Sequence, residues 1–270
     1  MQSRKMKKPF LQAILIVGSF FLVWFLLNQI SWMQLFEVEE NGIRTEEKLG
    51  ELYWKSLQSS EIEVSNKTIL NSVDSIIERI CETNGLNIDD FKVHILQNSQ
   101  VNAFALPGGH MIIYTGLITH NENQDAVTGV ICHELAHIEL NHVMKKLVKE
   151  IGLSALLSAT SGSGGEVIKE GSKILSSLAF DRSLEKEADI KAIEYLKNAN
   201  INPEPLANFL YLLAGEETGL LESLEWISTH PVSKERAEYI IAEIDNEQEY
   251  SSAISNSTWR ALKIEIQELD

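Results

Sequence analysis

VICHELAHIELNH, residues 130–142, is the stretch that decides the interpretation of this chain. It contains His133 and His137, and residues four apart on an α-helix lie one above the other on the same face. Two imidazoles held in this way form half of a tetrahedral zinc site. Glu134 stands beside them, where its carboxylate can act as a general base on water at such a metal. The stretch therefore predicts a metal centre with two histidine ligands and an adjacent base.

The residues around the motif are typical of an amphipathic helix. Asn123 is suited to cap the first turn, because an asparagine side chain accepts hydrogen bonds from the free backbone N–H groups there. Apolar residues recur at helical spacing: Ala126, Val127, Val130, Ile131, Leu135 and Ile138. The motif is thus expected on a helix, which the pairing of the two histidines requires.

The composition limits the class of protein. The chain has 270 residues, of which 44% are hydrophobic, enough for one compact domain with accessory segments. Its formal net charge is −16. A protein that binds nucleic acid needs clustered positive charge, so nucleic acid is not expected as a partner.

An uncharged, mostly apolar run near the N-terminus is long enough to cross a bilayer. We assign residues 10–32 to one transmembrane anchor and residues 1–9 to a cytoplasmic N-terminus. Basic residues precede the run and acidic residues follow it, which sets this orientation: Arg4, Lys5, Lys7 and Lys8, then Glu37, Glu39 and Glu40. The remainder is then extracytoplasmic, in the bacterial periplasm. A cleaved signal peptide is the alternative, but the run exceeds a signal core and no small-x-small cleavage site follows it.

The remaining chain divides into three parts. We interpret residues 33–64 as a spacer between the membrane and the domain, because residues 37–60 are acidic and helix-compatible. Residues 65–247 form the predicted metal-binding domain. Residues 248–270 are a tail compatible with helix or strand.

Within the domain, a helical stripe covers residues 65–83 and a strand follows at Lys92–Leu96. Two β-prone runs then flank a Pro-Gly-Gly turn at residues 107–109. The second run, residues 110–115, fits either a sheet edge or a place beneath a helix.

Two further features leave alternatives open. Residues 151–165 are small, apolar and glycine-rich, which fits a packed helix better than a mobile lid. Cys81 and Cys132 are far apart in sequence, so a disulfide between them has little support even outside the cytoplasm.

A third metal ligand is expected from residues 181–198, DRSLEKEADIKAIEYLKN. Glu185 and Asp189 are four apart and share a helix face, whereas Glu187 points to the opposite side. Such an acidic pair is more often a solvated face, but the histidine motif upstream favours ligation. Glu185 can bind the metal while Asp189 accepts the N–H of a ligating imidazole.

Three motifs in this order along the chain, NAFALPGG at 102–109, HELAH at 133–137 and RSLEKEAD at 182–189, carry a family resemblance. The chain resembles the membrane-linked HExxH zinc metallopeptidases of the HtpX and CAAX-protease clan, the forty-eighth metallopeptidase family, over residues 65 to 245. It is most similar to the soluble-domain branch of BepA-like and Oma-like proteins.

Two other kinds of site are not expected. The chain has one apolar run rather than several, which argues against an intramembrane prenyl-protein site. The HExxHxxGxxH class is excluded, because His142 lies five residues after His137 and that class needs a histidine at six.

The resemblance implies one zinc ion per chain, bound by His133, His137 and Glu185, with Glu134 as catalytic base and Asp189 as the outer partner of a ligand. It also implies that His230 approaches the zinc, as a removable fourth ligand that latches the site or as a catalytic group that stabilises the anionic intermediate. By sequence alone, this His-Pro is more typical of a loop before a helix.

Further expectations concern the binding of substrate and the anchoring of helices. The resemblance implies that the strand at Asn102, Ala103 and Phe104 lies along the cleft and receives substrate as an added strand. Arg182 and Arg236 are expected to anchor helices by pairing with carboxylates.

The predicted fold is α+β and mostly helical, gluzincin-like, with the active-site helix packed on a small antiparallel sheet after one transmembrane helix. The predicted function is a membrane-anchored zinc endopeptidase acting on misfolded or envelope proteins. A chaperone or assembly factor with a latched or structural zinc site is the alternative, since four protein ligands would leave no position for water.

Overall fold

The computed structural model describes residues 38–163, 165–177, 179–214, 226–231, 234–244 and 248–269. Residues 1–9 and the predicted anchor at 10–32 lie outside the described residues. Within the described residues, no helix combines the length and the hydropathy that a membrane span requires. The anchor and its orientation therefore stay predictions.

The described chain is mostly helical with one small sheet, as the predicted α+β class requires. The first elements are α1 (Val38–Gln58), α2 (Lys67–Asn84), β1 (Lys92–Leu96), β2 (Ala103–Ala105) and β3 (His110–Tyr114). The helices after the sheet are α3 (Thr115–His120), α4 (Gln124–Glu139), α5 (His142–Glu150), α6 (Leu153–Ser158), α7 (Gly165–Ser177), α8 (Arg182–Asn198), α9 (Glu204–Leu213), α10 (Trp226–Thr229), α11 (Lys234–Ala242) and α12 (Asn256–Gln267).

The sheet has the strand order β1-β3-β2, with β1 parallel to β3 and β2 antiparallel to it. The predicted antiparallel sheet is therefore wrong, because the sheet is mixed. The chain reverses between β1 and β2 and again at the predicted turn, where Gly108 and Gly109 adopt positive φ angles of 69° and 77°. Two reversals return β3 to the direction of β1. Strand β3 is thus central, and all five of its residues are buried.

Helix α4 carries the histidine motif and lies in the centre of the main core. Asn123 caps it as predicted, accepting a hydrogen bond from a backbone N–H of the first turn. Residues 126–137 are buried on every side, so the expectation of an amphipathic helix is wrong. A helix that is apolar around most of its circumference belongs in the interior. The side chains of His133, Glu134 and His137 are consequently enclosed by the rest of the fold.

The compact unit Thr45–Asp270 extends beyond the domain limits predicted at 65 and 247. In α1, Leu49, Tyr53 and Trp54 are buried in a second apolar cluster that includes side chains of β2 and β3. The tail forms α12, which packs on the main core through Trp259, Leu262 and Ile266. Residues assigned to the spacer and the tail thus supply core side chains, because each carries an apolar helical stripe.

The structure distinguishes the alternatives for the two cysteines and for residues 151–165. Cys81 and Cys132 are buried and free, so no disulfide joins them. The glycine-rich segment contains α6 and a π-helical turn at Ala159–Ser163. Leu156 and Ala159 are buried, which agrees with the packed-helix alternative.

Candidate metal centre

Helices α4 and α8 pack against each other and carry most of the predicted site. The third contribution comes from the residue that follows α10. Each predicted catalytic or ligand side chain is at most 1% exposed, as is the predicted outer partner: His133, Glu134, His137, Glu185, Asp189 and His230. The structure therefore brings these residues together inside the protein.

Four of these side chains direct one donor atom each to a common point, with all four atoms within 4.8 Å of one another. Nε2 of His133 lies 3.0 Å from Nε2 of His137 and 3.2 Å from Nδ1 of His230. Oε1 of Glu185 lies 3.0 Å from Nδ1 of His230 and 3.4 Å from Nε2 of His137. The four atoms thus form a small, closed cluster.

The spacing of this cluster fits a zinc ion. Ligand atoms about 2.0–2.1 Å from a tetrahedral zinc are about 3.3 Å from one another. Four of the six separations are 3.0 to 3.4 Å, around that value, and the other two are within 4.8 Å. Imidazole nitrogens and a carboxylate oxygen are also donors that zinc prefers. His133, His137 and Glu185 can therefore hold the ion as predicted, and His230 is placed to be a fourth ligand.

Asp189 lies behind His133, on the side away from the cluster. Its Oδ1 is 2.9 Å from Nδ1 of His133, so the carboxylate can accept the proton of that nitrogen. Burial would raise the pKa of Asp189, but His133 and Arg236 together lower it to about 2. Tyr239 donates a further hydrogen bond to the same carboxylate. Asp189 is thus ionised at neutral pH and can hold the His133 ring in one tautomer.

Arg236 connects the two carboxylates of α8. It donates from Nε and Nη2 to Asp189, both at 2.7 Å, and its Nη1 lies 2.6 Å from Oε2 of Glu185. Nη1 also donates to the carbonyl oxygen of Pro231, next to His230. Arg182, by contrast, is exposed at the start of α8, and its side chain forms no ion pair within the described part of the chain.

Both carboxylate oxygens of Glu134 are engaged. Oε2 accepts a hydrogen bond from the backbone N–H of Ala105 at 3.1 Å, and Oε1 accepts one from the indole N–H of Trp226 at 3.2 Å. Nε2 of His230 is also 3.3 Å from Oε1. The predicted base is thus oriented by β2 on one side and covered by α10 on the other.

The predicted substrate-binding residues, Asn102, Ala103 and Phe104, differ in the direction of their backbone groups. The carbonyl of Asn102 bonds to β3, and the side chains of Asn102 and Phe104 are buried. Backbone groups alternate in direction along a strand, so those of Ala103 and Ala105 face away from β3, toward the side on which Glu134 lies. Of the three predicted residues, only the backbone of Ala103 faces that edge. The carbonyl of Val101 at the same edge accepts a hydrogen bond from the backbone N–H of Trp226 at 3.4 Å.

Two aromatic rings enclose the ligand cluster. Phe180 stacks on His137 at 4.2 Å between ring centroids, and Trp226 stacks on His230 at 4.6 Å. The ammonium group of Lys146 lies 4.1 Å above the Phe180 ring, and burial lowers the pKa of Lys146 to about 8. None of these three residues carries a sequence signal for the site, because each reaches it through contacts between segments far apart in the chain.

Comparison with known proteins agrees with this arrangement. Residues 70–244 match Peptidase family M48. Over 208 residues the chain is 23% identical to the beta-barrel assembly-enhancing protease of Yersinia pestis, a match that covers 72% of this chain and 43% of that protein. It is 32% identical over 168 residues to the metalloprotease LoiP of Escherichia coli K12, covering 58% of this chain and 64% of that protein.

A third relative is the mitochondrial metalloendopeptidase OMA1 of Schizosaccharomyces pombe, 25% identical over 167 residues, with 61% of this chain and 50% of that protein covered. The matched part thus spans 43% to 64% of the length of these three relatives. The family match extends over more than half of this chain and includes the complete ligand cluster. The chain therefore belongs to peptidase family M48.

Proposed function

We propose that this protein is a membrane-anchored, zinc-dependent endopeptidase that hydrolyses peptide bonds of misfolded or envelope proteins. The observation that carries the activity is the convergence of donor atoms from His133, His137 and Glu185 next to Glu134. Catalytic zinc sites combine three protein ligands with one exchangeable position, which a removable His230 would provide. The family and the names of the three relatives, all proteases, support the proposal.

In this proposal each residue has a defined task. A zinc ion held by His133, His137 and Glu185 would polarise the scissile carbonyl and lower the pKa of water. Glu134 takes a proton from the attacking water and delivers it to the leaving amine. The Ala105 N–H fixes Oε2 of Glu134, so Oε1 is the oxygen that accepts the proton once the Trp226 indole has moved away.

Substrate is proposed to bind as a strand at the edge of β2 that faces Glu134. There the backbone N–H and C=O of Ala103 point away from β3 and can pair with an extended peptide. Such pairing uses the substrate backbone, so it selects extended chain more than particular side chains. This favours unfolded protein segments as substrates.

A second candidate function rests on His230. Its Nδ1 lies 3.2 Å from Nε2 of His133 and 3.0 Å from Oε1 of Glu185, so four protein ligands are available together. A zinc site closed by four protein ligands is typical of a structural role. A chaperone or assembly factor with a latched zinc site is therefore the alternative.

We infer a single anchor at residues 10–32, with the N-terminus cytoplasmic and the rest in the periplasm, from the charges that flank the apolar run. Protease added to spheroplasts should then digest the domain and spare the N-terminus. A mature protein that begins beyond Phe36 would contradict the anchor and would indicate a signal peptide.

Replacing Arg236 with methionine should lower the free energy of unfolding by about 3–5 kcal/mol, since two buried carboxylates lose their shared cation. Urea unfolding in the presence of a chelator measures this loss without a contribution from metal. Arg260→Met, an exposed position on α12, is the matched control and should change little. A decrease of less than about 1 kcal/mol in the free energy of unfolding would contradict the anchoring role of Arg236.

Glu134→Gln should retain zinc and lose casein cleavage by about 10²–10⁴-fold, because an amide cannot take up the proton while the ligands stay unchanged. Zinc content and cleavage rate are measured on the same full-length preparation. Glu139→Gln, exposed at the end of the same helix, is the control and should cleave at the wild-type rate. Wild-type cleavage by Glu134→Gln would remove this residue as the base.

His230→Ala distinguishes the latch from a stabiliser of the intermediate. We expect faster cleavage of an unfolded substrate with zinc retained, because loss of a fourth ligand opens a coordination position. If His230 instead stabilises the intermediate, turnover should fall by about 10²–10³-fold. His120→Ala, an exposed histidine on α3, is the control. An unchanged rate would exclude both roles.

A further inference from the structure

The chain turns sharply immediately after the histidine motif. Helix α4 ends at Glu139, and Asn141 adopts the left-handed conformation with φ 55° and ψ 31°. Asparagine is one of the few residues that tolerate this conformation at low cost. The turn starts α5 at His142 and directs its side chain back toward α4, where the ring is fully buried.

The buried ring of His142 lies between His137 and Glu187. Its Nδ1 is 3.1 Å from Nδ1 of His137, and the two rings meet edge to face. Its Nε2 is 3.4 Å from Oε2 of Glu187, whose side chain is 55% exposed on α8. Glu187 faces away from Glu185, the metal ligand of α8, as the helical spacing predicts. Its carboxylate instead lies next to His142.

The position of the His137 ring dictates where its proton must be. Nε2 of His137 faces the ligand cluster, so it must be unprotonated to bind a metal. The ring proton then resides on Nδ1, and Nδ1 of His142 is placed to accept it. His142 in turn carries its own proton on Nε2, directed at the carboxylate of Glu187.

We propose that His142 is a positioning residue that fixes the tautomer and the orientation of His137, with Glu187 fixing His142 in the same way. The inference rests on the proposed zinc site. It gives each ligand histidine of α4 its own outer partner, a carboxylate for His133 and a neutral imidazole for His137. Partners of this kind typically change metal affinity by 10- to 100-fold.

The test measures the zinc dissociation constant of the full-length chain by competition with a chelator. His142→Leu removes the acceptor and should raise the constant by about 10- to 100-fold. His142→Asn should recover most of that loss, because the Asn oxygen can accept the His137 proton near the place of the imidazole nitrogen. Glu187→Gln should have a smaller effect, since its side chain is largely exposed.

His120→Leu is the matched control, because His120 is exposed and its ring bonds to the Gly116 carbonyl of its own helix; the zinc affinity of this variant should equal that of the wild type. Wild-type affinity in His142→Leu would overturn the proposal. So would equal losses in His142→Leu and His142→Asn when both unfold at the wild-type temperature, since rescue by an acceptor is what distinguishes positioning from packing. A wild-type protein that binds no zinc would instead overturn the proposed zinc site itself.

Discussion

The buried charge cluster between α4 and α8 is the constraint on which the rest of this structure depends. The carboxylates of Glu185 and Asp189 and the guanidinium of Arg236 lie within a core that is otherwise largely apolar. Each such ion would cost several kcal/mol if left unpaired. Arg236 therefore bonds to both carboxylates, while His133 lies beside Oδ1 of Asp189 and His137 lies beside Oε1 of Glu185. Residues 126–137 of α4 are buried and form one wall of this enclosure.

One short segment, from Trp226 to His230, covers several parts of this enclosed site. Trp226 and His230 are four residues apart, joined by a backbone hydrogen bond of 2.9 Å and stacked ring on ring. The Trp226 indole covers Glu134, its backbone N–H bonds to the edge of the sheet, and His230 closes the ligand cluster. The predicted base, the ligand cluster and the strand edge are thus all in contact with a single helical turn.

The sequence predicts those parts of the molecule that depend on local spacing. Helix α4 with its cap, the pairing of His133 with His137, and the position of Glu185 and Asp189 on one helix face all follow from residues three or four apart. The strand order does not, because β1 pairs in parallel with β3 and not with β2, the next strand along the chain, and nothing local determines that choice. The core position of α1 does not follow from local spacing either, because it depends on packing against side chains of β2 and β3. The contacts of Trp226 and His142 with the site cannot be predicted for the same reason: Trp226 reaches Glu134 from α10, and His142 turns back toward His137 because Asn141 is left-handed.

The metal content of the full-length protein tests the central claim most directly. Elemental analysis of wild type should give about one zinc per chain, because His133, His137 and Glu185 form the usual ligand set of a catalytic site. The His133→Ala, His137→Ala double variant, purified in parallel, should contain almost none. Full zinc occupancy in the double variant, or none in the wild type, would contradict the account.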